Sequence, residues 1–587
     1  MGSDQMANVP ASIFREYDVR GQAMRVSPGD QLTLTPEIVE LIGQALGSRH
    51  VPGTAVLVSG DNRLSTPALR SAIAEGLCAA GLAVSLCEEE MPTGGASWLA
   101  LTGPFSMVVQ VTGSHTPPQF NGLKITERQE NGKPSSDPSA IPVALYGKQL
   151  SGVYDDIQAG RIRRGASRGA LQTITGLVAQ YQDALIRQTR SLLPEESYQS
   201  KIRVVLDAGN GLGYYLKSVL EALGVQVHGI FLESDGRFPN HPADPLLARV
   251  DAAYNESGVR HASEEVTQLN ANEQEGRKWI AIVTDGDGDR SGVIDELGMP
   301  VRPETLGMLF YRKYLEDNVA AVRYLGAVGK TFHMALDVRG TSVFHQVLQD
   351  WSSVSPRFIP AGYPIHRAFA RGEITQLMRW RDELPLESPE WKALDALLRS
   401  YVSAEISGHF FFNLTPRLPE VLVDDGLFAA LTVLRILDKS LQSDPAILEP
   451  LSRIVRAFPA KCASEEIRLD CPDDLKFGIV EKIRAEALKR FHEQMLPVRP
   501  IELIHNIRTQ EPESGLVEVD GVRVQFKDGS FFLIRASNTS AMLTFRFEGP
   551  SRETLRARQQ DVVTLLQPFK KDIGPLDALV GQDEVTK

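Results

Sequence analysis

Phe105-Ser-Met-Val-Val-Gln-Val111 runs directly into Thr112-Gly-Ser-His-Thr-Pro-Pro-Gln-Phe-Asn-Gly-Leu-Lys-Ile125. The first stretch is a short apolar run of the kind that forms a buried strand. Gly113, Ser114, Pro117 and Pro118 then break regular structure at once. Ser114 therefore falls on a stiff loop at a strand end, with His115 beside it and Lys124 ten residues on. In open α/β sheets that edge is where ligands bind. A serine held by rigid backbone near a cation can carry a phosphoryl group. The same residues also make an ordinary Ser/Pro turn, and alone they do not separate the two.

The flanking chain supplies the α/β alternation. Thr35 to Ser48 predicts a helix, with Thr35 as N-cap, Pro36 in the first turn and apolar Ile38, Ile42 and Leu46 on one face. Thr54-Ala-Val-Leu-Val-Ser59 reads as a strand, Gly60-Asp-Asn-Arg-Leu-Ser65 breaks it, and Thr66-Pro-Ala-Leu opens another helix. Glu127 to Gly169 is polar and rich in Gly, Ser and Pro, which predicts a surface excursion, and Leu171 to Arg190 predicts a helix. Ser200-Lys-Ile-Arg-Val-Val-Leu-Asp-Ala-Gly-Asn-Gly-Leu-Gly213 predicts strand, glycine turn and helix, but its glycines lack the G-x-G-x-x-G spacing of a dinucleotide site. Ser263 to Lys278 shows no bulky apolar face and predicts an irregular insertion. Thr375 to Tyr401 predicts a charged helical excursion.

A second chemical signal lies at Trp279-Ile-Ala-Ile-Val-Thr284, a strand that runs into Asp285-Gly-Asp-Gly-Asp-Arg290. Carboxylates at i, i+2 and i+4 converge on one side of an extended loop, and glycines let the backbone wrap an ion. Hard carboxylate oxygens suit Mg²⁺. An EF-hand is the rival, since Asp285, Asp287, Asp289 and Glu296 fit its spacing. Its sixth position needs Gly and here holds Arg290, and a strand precedes the loop where an EF-hand has a helix.

Composition narrows the partners. The chain has 587 residues, enough for about four domains, and a net charge of −12. That balance argues against nucleic acid or an anionic membrane as partner. Four cysteines without CxxC spacing suit a reducing cytoplasm. No apolar run of membrane-spanning length is present.

Thr112-Gly-Ser-His-Thr-Pro117 followed by Asn121-Gly-Leu-Lys124 resembles the phosphoserine loop of the α-D-phosphohexomutases, the phosphoglucomutase/phosphomannomutase superfamily, with Gly113, Thr116 and Pro118 as departures from their Thr-Ala-Ser-His-Asn-Pro. Further segments resemble the same family in its own order: Tyr17-Asp-Val-Arg-Gly21, Gly60-Asp-x-Arg-x-Ser65 as support for the serine loop, Asp285 to Arg290, Ala404-Glu-Ile-Ser-Gly-His409 and Arg535-Ala-Ser-Asn-Thr539. Arg339 stands where the family has a Lys. Tyr363 stands where some relatives have His, with His366 and Arg367 close by as substitutes.

The resemblance implies an α/β fold of four domains around a central cleft: a phosphoserine-loop domain (11–172), a metal-loop domain (173–301) and a sugar-recognition domain (302–445), all three related with mixed sheets, and a smaller α+β phosphate-binding lid (446–587). It implies a phosphohexomutase moving phosphate between the 1 and 6 positions of mannose or glucose phosphates through a hexose 1,6-bisphosphate. The catalytic set is Ser114, Lys124, Arg20, Arg290, Arg339 and His409. The substrate set is Glu405, Ser407, Arg535, Ser537, Asn538, Thr539, His115 and Tyr363. Asp285, Asp287, Asp289 and Ser114 hold Mg²⁺. A phosphoglucosamine mutase, a sugar-bisphosphate synthase and a non-catalytic sugar-phosphate sensor are the alternatives, and the oligomeric state stays open.

Overall fold

The structure, a computed structural model, describes residues 9–163, 167–192, 202–245, 258–273, 278–415, 418–443, 450–537, 541–581 and 584–585. The described residues within Met1–Leu247, Asn255–Pro300 and Phe412–Pro450 form one compact unit, and those within Val301–Phe411 and Leu451–Lys587 form another. Among the described residues no helix is long and apolar enough to cross a membrane.

The first unit holds two mixed sheets. In the first, strands Met107–Val111, Ala55–Gly60, Ala83–Glu90 and Leu171–Ile174 run parallel, and Phe120–Glu130 returns antiparallel beside Met107–Val111. That turn is the Ser114 loop. Helix Pro36–Ser48 forms as expected: the Thr35 side chain accepts from the Ile38 N–H, and Ile38, Val39, Ile42 and Leu46 enter the core. It packs on helix Thr66–Ala79 so closely that a Cβ at Gly76 would overlap the Glu40 carbonyl. The second sheet carries Val227–Ile230, Ile202–Asp207, Lys278–Thr284 and Ser291–Ile294, with the acidic loop between its last two strands. Domain-bridging polar contacts tie the two sheets. Asn62 Nδ2 donates to the Asn210 carbonyl and to Ser234 Oγ, at 2.7 and 2.9 Å, and Ser234 donates to Glu90 at 2.7 Å.

Three expectations need correction. The polar stretch after Glu127 is ordered: strand Phe120–Glu130 continues through it, Ile141–Ala144 pairs with it, and helix Lys148–Gln158 buries Leu150, Val153 and Ile157. Leu171 to Arg190 begins as a strand, Leu171–Ile174, and becomes helix Leu177–Ser191 after the left-handed Gly176. The described part of the segment expected to be irregular from Ser263 is helix Gly258–Ala271, whose buried Val259, Ala262 and Val266 make a face too small to stand out in the sequence.

The second unit contains the parallel pair Phe332–Asp337 and Val354–Ile359, the paired short strands Val402–Ala404 and Phe410–Phe412, and the helices Tyr363–Asp382 and Pro389–Arg399 that fill the region read as an excursion. It also holds an antiparallel sheet of Leu516–Val517, Val522–Gln525, Phe531–Ala536, Met542–Gly549 and Cys462–Ala463. Helices Asp473–Phe491 and Arg552–Leu566 cover that sheet with Ile479, Ile483, Leu555 and Val562.

Candidate functional site: a strained serine loop, an acidic triad and two polar loops

In the first unit, Ser114 takes a left-handed backbone conformation, φ 48°, which is strained for a residue with a side chain. Arg63 holds it there. Its guanidinium, fully buried, donates to the carbonyls of Ser114 and Thr116, both at 2.6 Å, and to those of Pro117 and Phe120, at 2.8 and 2.9 Å. Asp61 in turn accepts from the Gly113 N–H at 3.0 Å and pairs with Arg63 Nε at 3.3 Å. A Cβ at residue 113 would overlap the Arg63 guanidinium, so this packing requires the glycine. The loop is thus a rigid mount that presents one hydroxyl.

That hydroxyl meets the acidic loop: Ser114 Oγ donates to Asp285 Oδ2 at 3.0 Å. Asp285, Asp287 and Asp289 are all fully buried, and one oxygen from each lies within 4.8 Å of the others. Lys124, opposite Gln110 on the returning strand, pairs with Asp289 and lies 3.3 Å from Asp287 Oδ2. Burial, with Asp289 and Asp287 close by, pushes the Asp285 carboxyl well above the ordinary range. Burial also works against charge on Asp287, but Lys124 and the hydroxyls of Thr93 and Thr112 outweigh it and hold that carboxyl below the ordinary range. Asp287 Oδ1 is buried with no hydrogen-bond partner. Three buried carboxylates that bring oxygens together, with Asp287 Oδ1 unsatisfied, are a donor set that fits a divalent cation.

Other expected residues surround this point. Arg290 Nε stands 4.0 Å from Asp285 Oδ2, and its backbone N–H donates to Asp285 Oδ1 at 3.1 Å. Arg20, on strand Val19–Gln22, is paired with Asp18. Burial opposes its charge, yet Asp18, with Asp287 and Asp61 nearby, keeps its pKa raised. His115 Nδ1 lies 3.2 Å from Asp244, and chiefly the Arg290 charge lowers its pKa.

The second unit brings together a different set. Arg339 follows strand Phe332–Asp337 and binds three carboxylates: Nε to Asp337 and Nη2 to Glu405, both at 2.8 Å, and Nη1 to Glu466 at 3.4 Å. Glu405 and His409 close a tight turn, Glu405 N–H to the His409 carbonyl at 2.9 Å, with Gly408 at φ 83°. Glu405 Oε2 and Ser407 Oγ are buried without a hydrogen-bond partner. Tyr363 opens its helix with its ring 6.1 Å from that of His409. His366 is fully buried, 3.0 Å from Ser403 Oγ and stacked on Phe411, so it belongs to the core beneath the loop and does not stand in for the missing histidine. On the antiparallel sheet, Arg535 Nε donates to Asp520 at 2.6 Å, and the Lys476 ammonium donates to the Ser537 carbonyl at 2.6 Å. Asn538 and Thr539 lie outside the described residues.

Residues 11–142 match the model of phosphoglucomutase/phosphomannomutase alpha/beta/alpha domain I, residues 179–298 that of domain II, and residues 466–565 that of the C-terminal domain. The chain belongs to the α-D-phosphohexomutase superfamily. Among its relatives, a phosphomannomutase/phosphoglucomutase of Pseudomonas aeruginosa is 28% identical over 558 residues, covering 94% of this chain and 95% of that protein. A phosphoglucomutase of Neisseria gonorrhoeae is 26% identical over 575 residues, covering 97% of this chain and 100% of that protein. The crystal structure of a phosphoglucomutase/phosphomannomutase family protein from Burkholderia thailandensis superposes with a TM-score of 0.66 at 25% identity, covering 95% of this chain and 98% of that one.

Several residues of this phosphohexomutase that shape the loops escaped the sequence reading. Asp337, two residues before Arg339 in the stretch whose Arg339 was singled out, was not itself picked, and Glu466, which shares Arg339, and Asp520, which holds Arg535, lie near strand ends and turns with no motif around them. Thr93 also went unnoticed. It opens helix Thr93–Thr102, and its hydroxyl donates to Asp287 Oδ2 at 2.6 Å. Only the Pro92-Thr93 pair at a helix start was available as a signal.

Proposed function

We propose that this chain is a phosphohexomutase that moves phosphate between the 1 and 6 positions of a mannose or glucose phosphate. The observation that carries the reading is the strained, buried Ser114, whose Oγ donates at 3.0 Å to Asp285 in the acidic loop that the Lys124 ammonium also meets. In its phosphorylated form Ser114 gives its phosphoryl group to a sugar hydroxyl. The P–O bond to serine breaks, a P–O bond to the sugar forms, the hydroxyl proton goes to a base, and the serine oxygen regains a proton. Microscopic reversal with the other phosphate of the hexose 1,6-bisphosphate restores the enzyme.

Asp285, Asp287 and Asp289 would hold Mg²⁺ together with the phosphate on Ser114. When bound, that ion offsets charge on the transferring group. Lys124, Arg20 and Arg290 bring further positive charge to the phosphoryl oxygens. Arg339 remains protonated and cannot accept the hydroxyl proton, which leaves His409 as the proton carrier among the residues assigned here. Glu405 and Ser407, each with an unsatisfied buried oxygen, receive sugar hydroxyls. Arg535, Ser537, Asn538 and Thr539 receive the non-reacting phosphate, while His115 and Tyr363 line the substrate. The chain divides in this reading into domains 11–172, 173–301, 302–445 and 446–587.

Turnover of glucose 1-phosphate, mannose 1-phosphate and glucosamine 1-phosphate by the purified chain, with and without a trace of hexose 1,6-bisphosphate, tests the proposal. Conversion of the first two to 6-phosphates is the expected result. Preference for the amino sugar would give the amino-sugar reading, and no turnover with tight binding would give the sensor.

A further inference from the structure

Asp287 uses its two oxygens differently. Oδ2 accepts from Thr93 Oγ1 at 2.6 Å and from Thr112 Oγ1 at 2.8 Å, and lies 3.3 Å from the Lys124 ammonium. Oδ1 is buried and has no hydrogen-bond partner. A carboxylate has about four lone-pair sites, and here the protein's donors crowd onto one atom.

Thr93 is the donor in this set that lies outside the serine-loop segment. Its placement is well determined. The Met91 N–H donates to the Gly60 carbonyl at 2.8 Å, and Gln110 Nε2 donates to the Met91 carbonyl at 2.7 Å, which fixes the chain one step before the helix. The Thr93 N–H then donates to the Asp287 carbonyl at 3.0 Å, so backbone and hydroxyl grip the same aspartate. The first turn of the helix is wedged as well. A Cβ at Gly95 would stand 2.8 Å from Met91 Sδ, and one at Gly94 would stand 2.7 Å from the Asp425 carboxyl carbon. Thr93 has no room to rotate away, being 4% exposed.

We infer that Thr93 is a positioning residue for the cation site: its hydroxyl fixes Oδ2 of Asp287 and leaves Oδ1 as the oxygen offered to the ion. The inference rests on the reading of the acidic loop as a divalent-cation site. Partners that orient a ligating carboxylate change metal affinity about 10- to 100-fold when removed.

Thr93→Val keeps the shape and the backbone bond and removes the hydroxyl. Thr93→Ser keeps the hydroxyl. Thr102→Val, at the far end of the same helix, removes a hydroxyl that bonds only the Trp98 carbonyl. Mn²⁺ titrated into each full chain, with free ion read by its EPR signal, gives the affinity without any turnover. Thr93→Val should bind Mn²⁺ about tenfold or more weakly, whereas Thr93→Ser and Thr102→Val should match the wild type. In assays, Thr93→Val should need more Mg²⁺ for half activity yet approach the wild-type kcat at saturation. If Thr93→Val does not fold, Thr93→Ala against Thr93→Ser makes the same comparison. Wild-type affinity in the hydroxyl-free variants would overturn the inference and leave the cation site standing. Absence of Mn²⁺ binding by the wild type would overturn the cation reading and the inference with it.

Discussion

Two regions of the molecule bury three carboxylates around one basic side chain, and they reach opposite electrostatic states. In the first unit Lys124 faces Asp285, Asp287 and Asp289; in the second Arg339 faces Asp337, Glu405 and Glu466. The Lys ammonium is a point charge that engages Asp287 and Asp289, and Asp285, which takes the Ser114 hydroxyl and the Arg290 backbone N–H, has its carboxyl pushed well upward by burial. The Arg fork sends one nitrogen to each acid. Burial opposes charge on all three, and Arg339 still holds Asp337, Glu405 and Glu466 below their ordinary values. The same count of charges therefore makes one cluster in which burial raises a carboxyl and one in which the Arg fork holds every carboxyl low, with Oε2 of Glu405 buried and without a hydrogen-bond partner.

The sharpest way to break this contrast is to remove each base. Arg339→Met strands three buried carboxylates, and breaking such a network costs about 3–5 kcal/mol. A fall of that size should appear in denaturant unfolding whether or not Mg²⁺ is present. Lys124→Met should be strongly destabilising only in metal-free buffer, with millimolar Mg²⁺ recovering most of the loss. Equal losses in both variants under both conditions would remove the distinction.

A variant of the proposed phosphate clamp extends the comparison to Arg535, whose Nε donates to Asp520. Arg535→Ala should weaken sugar-monophosphate binding by about 1.5–3 kcal/mol, roughly ten- to a hundredfold, in a calorimetric titration. Phosphorylation of Ser114 should change less.

Asp425 is a buried acid that, among the described residues, pairs with no base. It accepts from the Tyr181 hydroxyl at 2.7 Å and the Phe428 N–H at 2.9 Å, and burial raises its pKa to about 7. The folded protein thus holds a proton that the unfolded chain loses near pH 4, so stability contributed by the neutral acid declines as pH rises from about 4 through 7. Asp425→Asn, with its Oδ1 accepting from the Phe428 N–H and its amide NH2 donating to the Tyr181 oxygen, should flatten that slope and stabilise the protein above pH 7 by on the order of 1–3 kcal/mol. An unchanged pH profile of the melting midpoint would show Asp425 to be charged in the fold.

The smallest effect concerns the spare oxygen of Glu405. Glu405→Gln should raise KM for the preferred sugar phosphate about tenfold, near 1.4 kcal/mol, with little change in melting temperature.

Much of this organisation was legible in the sequence, for reasons that differ by residue. Ser114 and the three aspartates stand out because chemistry and backbone coincide: glycines and prolines must flank them for the loops to exist. The helix after Thr35 was readable from its cap and stripe. Helix Gly258–Ala271 was hidden because its buried face is made of Val259, Ala262 and Val266, with polar residues between. Strand Leu171–Ile174 was hidden by the helical run behind it. Glu466 and Asp520 could not be read at all, since each acts on an arginine distant along the chain or across a turn, a relation that only folding creates.

In the proposed mechanism Ser114, held beside the acidic loop, carries the phosphoryl group in transit. Incubation of the dephosphorylated chain with hexose 1,6-bisphosphate and Mg²⁺, followed by intact-mass and peptide analysis, tests it most directly. The account predicts one added phosphoryl group, located on Ser114, absent in Ser114→Ala and removed again by glucose 6-phosphate. Full mutase activity in Ser114→Ala, or a phosphoryl group found on another residue, would contradict it.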